Sequence, residues 1–209
     1  MVADPKSLPT TGHMEICNTY ELAKFTKSNL APLTGPRSKQ PLEQIHSYLC
    51  DKFSIPSLRG FSYYITFIDD YSKYAHLYFL KKKSDAAAAT QRHIAYMENQ
   101  IDKTVKWFRS DNGGEYISND LQQFFATKDI KHEFTIRYSH ESNGTAKHFN
   151  KMIATMTRSA LLDHDLPRNL WAEAMNTMVH FKNHLPHKAF PNMTPYEAVT
   201  GKKLFIGHL

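Results

Sequence analysis

The pattern of apolar and polar positions changes period several times along the chain. Ile45 to Phe53 reads as a strand, and Ser57-Leu58-Arg59-Gly60 supplies a turn after it. Phe61 to Asp69 is dense in aromatic and β-branched residues, which favour extended backbone. Asp70-Tyr71-Ser72-Lys73 suits a tight connection, and Tyr74 to Leu80 the returning strand, so an antiparallel meander is expected. The period then becomes helical. Ser84 is placed to cap a helix running to about Gln100, with Asp85 in its first turn and Ala86 to Ala89 of high helix propensity. Thr104 to Ser110 returns to a strand and stops at Asp111-Asn112-Gly113-Gly114.

The remainder alternates once more and then stays helical. Ser118 is placed to cap a helix over Leu121 to Thr127, and Lys131 to Ile136 is a short strand. A loop is expected over Tyr138 to Gly144, followed by a long helix over Thr145 to Leu162. Its apolar positions Phe149, Met152, Ile153, Met156 and Ala160 keep the three-and-four spacing of one face, the mark of core packing. After Pro167, Leu170 to His184 reads as another helix. Thr194-Pro195-Tyr196-Glu197 is a capping box with proline at the first helical position, and Gly201 ends the short helix it opens. Three strands, then helix–strand–helix–strand, then helices predict an α/β layered fold with a mixed sheet.

With 209 residues, 41% of them hydrophobic and 22% charged, the chain suits one ordered domain with a sizeable core. Residues 1–42 are rich in Pro, Thr, Ser and Lys and read as a linker. Lys24, Lys27, Arg37 and Lys39 lie there, as a solvated charge run or as phosphate contacts. The net charge of +6 fits a nucleic-acid partner, among other surfaces. The two cysteines, Cys17 and Cys50, make no disulfide framework and are expected as reduced thiols. The start has no basic region followed by an apolar run, and no stretch is apolar enough to span a bilayer, so a soluble intracellular protein with no membrane partner is expected.

Three strings carry a resemblance: Phe67-Ile68-Asp69-Asp70-Tyr71-Ser72, Arg109-Ser110-Asp111-Asn112-Gly113-Gly114-Glu115-Tyr116, and Asn143-Gly144-Thr145-Ala146. With the later Trp171-Ala172-Glu173-Ala174 and Thr194-Pro195-Tyr196-Glu197 they resemble, in uninterrupted order, the integrase catalytic core of copia-type long-terminal-repeat retrotransposon polyproteins. The resemblance implies a ribonuclease H-like fold, with a five-stranded mixed sheet flanked by helices and extra helices at the C-terminus. It divides the chain into a 1–42 linker holding the remnant of a zinc-binding module, a 43–165 core and a 166–209 helical extension. It also implies two Asp and one Glu holding two Mg²⁺ or Mn²⁺ ions, hard cations that take oxygen ligands and can stabilise both oxygens of an in-line displacement.

Carried over by position, the family's central aspartate is Asp111. Its first aspartate falls on Tyr48, within Ile45-His46-Ser47-Tyr48-Leu49-Cys50, and its glutamate falls on Lys147. The matching neighbours Asn143, Gly144 and Ala146 hold that alignment in register. Two of three carboxylates are therefore replaced, and no catalytic metal is expected, with Asp111 the sole remaining ligand. An ammonium about 4 Å from a like charge is repelled by about 4 kcal/mol at an effective dielectric of 20, and a phenol stays neutral near pH 7. Asp111 is expected to pair with Lys147. Substitute carboxylates are poor candidates. Asp51 should face away from Tyr48 on a strand, Glu141 sits in a loop, Asp69 and Asp70 are not ligands in the family, and Glu115 would have to approach across the Gly113-Gly114 turn.

Upstream, the family's Cys-x-x-Cys corresponds to Cys17-Asn18-Thr19-Tyr20, and His13 is too close in sequence to be a clear partner. Four ligands are needed for a structural zinc, so none is expected. On the long helix Lys147, Lys151 and Arg158 align, either as a solvated face or, as the resemblance implies, as a salt-sensitive DNA-phosphate face. Lys81-Lys82-Lys83 is expected to be a solubilising turn. The family implies retrotransposon ends and target DNA as partners, homo-oligomers and a nuclear location. The expected function is an inactive integrase core with nucleic-acid binding. The alternatives are an active polynucleotidyl transferase with an unorthodox ligand set, a non-enzymatic DNA- or protein-binding module, or a relic without function.

Overall fold

The computed structural model describes residues 38–135, 144–190 and 192–203. Five strands are formed: β1 (Gln44–Leu49), β2 (Tyr63–Asp69), β3 (Ala75–Leu80), β4 (Trp107–Ser110) and β5 (Lys131–Phe134). Five α-helices accompany them: α1 (Ala86–Ile101), α2 (Asn119–Thr127), α3 (Gly144–Asp163), α4 (Trp171–His184) and α5 (Pro195–Thr200). The sheet order is β3-β2-β1-β4-β5. β1–β2 and β2–β3 are antiparallel, as the meander predicts, whereas β1–β4 and β4–β5 are parallel and need helical crossovers.

Because successive side chains alternate across a strand, the sheet has two apolar faces and each is covered. One face carries Ile45, Leu49, Ile65, Phe67 and Phe108 against Ala89, Ile94 and Met97 of α1 and Leu121 and Phe125 of α2. The other carries Tyr64, Ile68 and Ala75 against Phe149 and Ile153 of α3 and Trp171, Met175 and Val179 of α4. Trp171 closes that second core: Phe53 stacks on it at 4.2 Å, and its indole N–H donates to the Ile55 carbonyl at 3.0 Å. Here lies the physical reason for the Trp171-Ala172 string, since both residues are buried.

Several local expectations are corrected. Ser84 does not cap α1: it lies exposed in a 3-10 turn over Lys83–Asp85, whose start is organised by the Asp85 carboxylate accepting the Lys82 N–H at 3.0 Å. Ser118 stands at the N-cap of α2, but its hydroxyl makes no capping bond. β1 ends at Leu49, short of Phe53, because the chain turns outward at Asp51 and Lys52, both exposed. Leu42, assigned to the linker, is fully buried, with its N–H on the Asp69 carboxylate at 2.8 Å. The buried face of α3 is Ala146, Phe149, Asn150, Ile153 and Thr157, rotated from the predicted stripe, and Met152, Met156 and Ala160 are only half-buried. The capping box of α5 forms as expected, with the Glu197 N–H on Thr194 Oγ1 at 3.1 Å, and Gly201 takes the left-handed conformation at φ 69°.

Candidate active site and nucleic-acid face

Parallel pairing of β1 with β4 sets His46 against Arg109. Two residues beyond this pair come Tyr48, still on β1, and Asp111, just past the end of β4 at Ser110, so the two stand at adjacent strand ends. The charge of Asp111 acts on the Tyr48 phenol, and the Lys147 charge at the start of α3 acts on Asp111. Tyr48 packs among the residues of the second core. Burial raises the pKa of its phenol, with further rises from Cys50 and from the charges of Asp51 and Asp111, so it stays protonated at neutral pH. Asp51 thus acts on Tyr48 although it is not a strand neighbour: β1 has already ended, and the alternation argument does not apply to it.

Asp111 is half-buried. Burial raises its pKa, and the Glu115 charge adds to that. The Gly113 N–H, donating at 3.2 Å, and the charges of Lys147 and Lys83 pull the other way. Among the described residues Asp111 makes no ion pair, so the expected Asp111–Lys147 pair is corrected to an action through space. Lys147 is exposed, and an ammonium in contact with water is held apart from its target by a dielectric nearer that of the solvent. At 4 Å the repulsion of a like charge then falls toward about 1 kcal/mol.

Glu115 is the residue that sequence reasoning undervalued. Its carboxylate folds back over the turn, so closely that a Cβ on Gly113 would stand 2.5 Å from Oε1. A side chain at Gly113 would displace the Glu115 carboxylate, while the backbone there is ordinary extended chain. Glu115 pairs with Lys83 at 3.4 Å, its side chain only 8% exposed. Lys83, expected to be a solubilising surface residue, therefore belongs to the electrostatics of this site. The signal was too weak to read from sequence, because it depends on the β3–α1 corner meeting the turn after β4. Next to them Tyr116 is fully buried, its hydroxyl 2.8 Å from Ser47 Oγ, and it ties the turn to β1.

The start of α3 is held to the sheet by a buried polar contact. Thr66 Oγ1 donates to Asn150 Oδ1 at 2.5 Å, and Asn150 Nδ2 donates to the Ala146 carbonyl at 2.9 Å. Asp69 and Asp70 serve the β2–β3 turn. Asp69 accepts from the Leu42 and Ser72 amides and the Ser72 hydroxyl. Burial favours the neutral form of Asp70, but hydrogen bonds from His46, Lys73 and the Ser38 amide, with the Lys73 charge, outweigh it and hold its carboxyl well below the usual range.

Residues 39–140 match the family described as the integrase core domain. The retrovirus-related Pol polyprotein from transposon TNT 1-94 of Nicotiana tabacum is 33% identical over 84% of this chain and 13% of its own length. Residues 39–140 belong to the integrase core domain family. The Pol polyprotein from transposon RE1 of Arabidopsis thaliana is 29% identical over 85% of this chain and 12% of its own. The chain thus spans about an eighth of the length of these relatives. The integrase fold is seen again in solved structures. A chain of the simian T-cell lymphotropic virus intasome in complex with PP2A regulatory subunit B56 gamma superposes with TM-score 0.66 and 18% identity, over 85% of this chain and 61% of that one. The HTLV-2 integrase catalytic core domain in complex with magnesium superposes with TM-score 0.58 and 18% identity, over 78% of this chain and 99% of that one. The fold is therefore the ribonuclease H-like fold of the integrase core.

Lys147, Lys151 and Arg158 are all exposed on α3, on a face away from its buried one. The sequence expectations for His13, Cys17, Tyr20, Lys24, Lys27, Arg37, Glu141 and Asn143 lie outside the described residues.

Proposed function

We propose that this chain is a copia-type retrotransposon integrase core that binds DNA without catalysing strand transfer. The observation that carries the reading is the Tyr48–Asp111 juxtaposition at adjacent strand ends, with the Lys147 charge acting on Asp111 from the start of α3. By position these three stand for the carboxylate triad of the family, and two of them offer a protonated phenol and an ammonium. That donor set does not fit a pair of magnesium or manganese ions, which need several fixed oxygen ligands. Asp111 alone cannot hold two ions, and Glu115, whose charge acts on Asp111, is engaged by Lys83.

DNA binding rests on different residues. Lys147, Lys151 and Arg158 present cations in one row on an exposed helix face, which suits phosphates and carries little base readout. Retrotransposon ends and target DNA, assembly with further copies and a nuclear location belong to the same proposal, by likeness to the integrase family. Fluorescence anisotropy on a labelled duplex across a salt series, beside a Mn²⁺-dependent nicking and joining assay on the same duplex, tests it. The expected result is salt-sensitive binding with no cleaved or joined product. Cleavage by the unaltered chain would overturn it.

A further inference from the structure

On α4, His180 and His184 are separated by one helical turn, the spacing at which two side chains meet on one face. Their rings do meet, with centroids 4.1 Å apart and planes tilted by 35°. His184 Nδ1 lies 2.7 Å from the His180 backbone carbonyl oxygen. A carbonyl only accepts, so Nδ1 carries the hydrogen and the lone pair of this imidazole is left on Nε2. A metal-bound histidine is commonly fixed in this way by a hydrogen bond from its second nitrogen. Tyr196 of α5 stacks on the His184 ring at 5.0 Å and 26°, which limits its rotation. The pair lies on the wall of a cavity of about 320 Å³ between α4 and the edge strand β3, with His76 on the facing side. His76 Nε2 lies 3.2 Å from the Tyr74 hydroxyl, and α4 supplies the two imidazoles one turn apart.

We propose that His180 and His184 form a two-imidazole chelate for a borderline divalent transition-metal ion such as Zn²⁺, Ni²⁺ or Cu²⁺, with water completing the coordination shell. Imidazole nitrogens suit these ions and not Mg²⁺, so the site is chemically distinct from the carboxylate triad of the family. Both ligands come from a single turn of a formed helix, so little ordering is required on binding. The ion stabilises the end of α4 by binding the folded state alone.

The test is a calorimetric titration of the full chain with Ni²⁺ near pH 7.5, repeated on His180→Asn, His184→Asn, the double variant and His76→Asn. The proposal expects each single variant to lose the same one equivalent, the double variant to lose no more than either single, and His76→Asn to lose none. It also expects Ni²⁺ to raise the thermal midpoint of the parent chain and to raise that of the His180 and His184 variants less. The far-ultraviolet circular dichroism of the metal-free variants should match the parent's, which separates a lost ligand from a lost fold. Unchanged stoichiometry in either single variant, or loss of two equivalents in the double, overturns the proposal.

Discussion

Thr66 on β2 donates its hydroxyl hydrogen to Asn150 on α3 across a contact of 2.5 Å from which water is excluded, both residues being buried. The contact fixes how α3 lies on the sheet, and so where Lys147, one turn earlier, stands relative to Asp111. Replacing Asn150 by Leu leaves the Thr66 hydroxyl without its partner in an apolar layer. A loss of about 1–3 kcal/mol is expected, read as a lower urea midpoint. Thr66→Val combined with Asn150→Leu should recover part of it, since both polar ends are then removed together.

A second buried amide closes the edge of the sheet. Asn183 Oδ1 accepts the Ala75 N–H at 3.0 Å, and its Nδ2 donates to the Ala75 carbonyl at 2.8 Å, as a neighbouring strand would. Asn183→Leu uncovers that part of the β3 edge. Stability should fall by about 1–3 kcal/mol, and sedimentation velocity should show more self-association, because an open edge is a template for pairing.

Acid sensitivity should begin above the carboxylate range. Burial pushes the pKa of His76 and His132 down to about 4, and that of fully buried His93 well below its usual value. The unfolded chain takes up these protons near pH 6.5, whereas the folded chain does not. Stability is therefore present above pH 6.5 and lost as pH falls from there toward 4, with a slope of up to about 4 kcal/mol per pH unit for three protons. Urea midpoints measured between pH 7.5 and 5 should fall steadily, and His132→Phe should flatten the profile.

The DNA face predicts a salt signature. If Lys147, Lys151 and Arg158 each meet a phosphate, each replacement by Gln reduces the slope of log affinity against log salt by about 0.9. The loss should be alike on unrelated duplex sequences. Anisotropy titrations from low to moderate salt measure both.

Much of this was legible in the chain, and what was not has a common cause. The meander, the crossovers and the α5 capping box follow from local period and turn chemistry, which act over a few residues. Lys83 was read as a surface residue because nothing near it in sequence shows that it meets Glu115. Asn150 was overlooked because a polar residue on a helix reads as solvent-facing until its partner on another strand is known. Asp51 was judged by strand alternation, yet β1 had already ended at Leu49. Tyr48, Asp111 and Lys147 are assigned by position in the family alone, whereas the balance of charge around Asp111 needs the assembled fold.

On the proposed reading, chemistry is blocked at Tyr48 and Lys147 while the fold and DNA face remain. The direct test is Mn²⁺-dependent nicking and joining of a DNA duplex by the chain and by its Tyr48→Asp, Lys147→Glu double variant, with binding measured in parallel. The account predicts product from the double variant and none from the parent chain. Product from the parent chain would contradict it, and would turn attention to Glu115 beside Asp111.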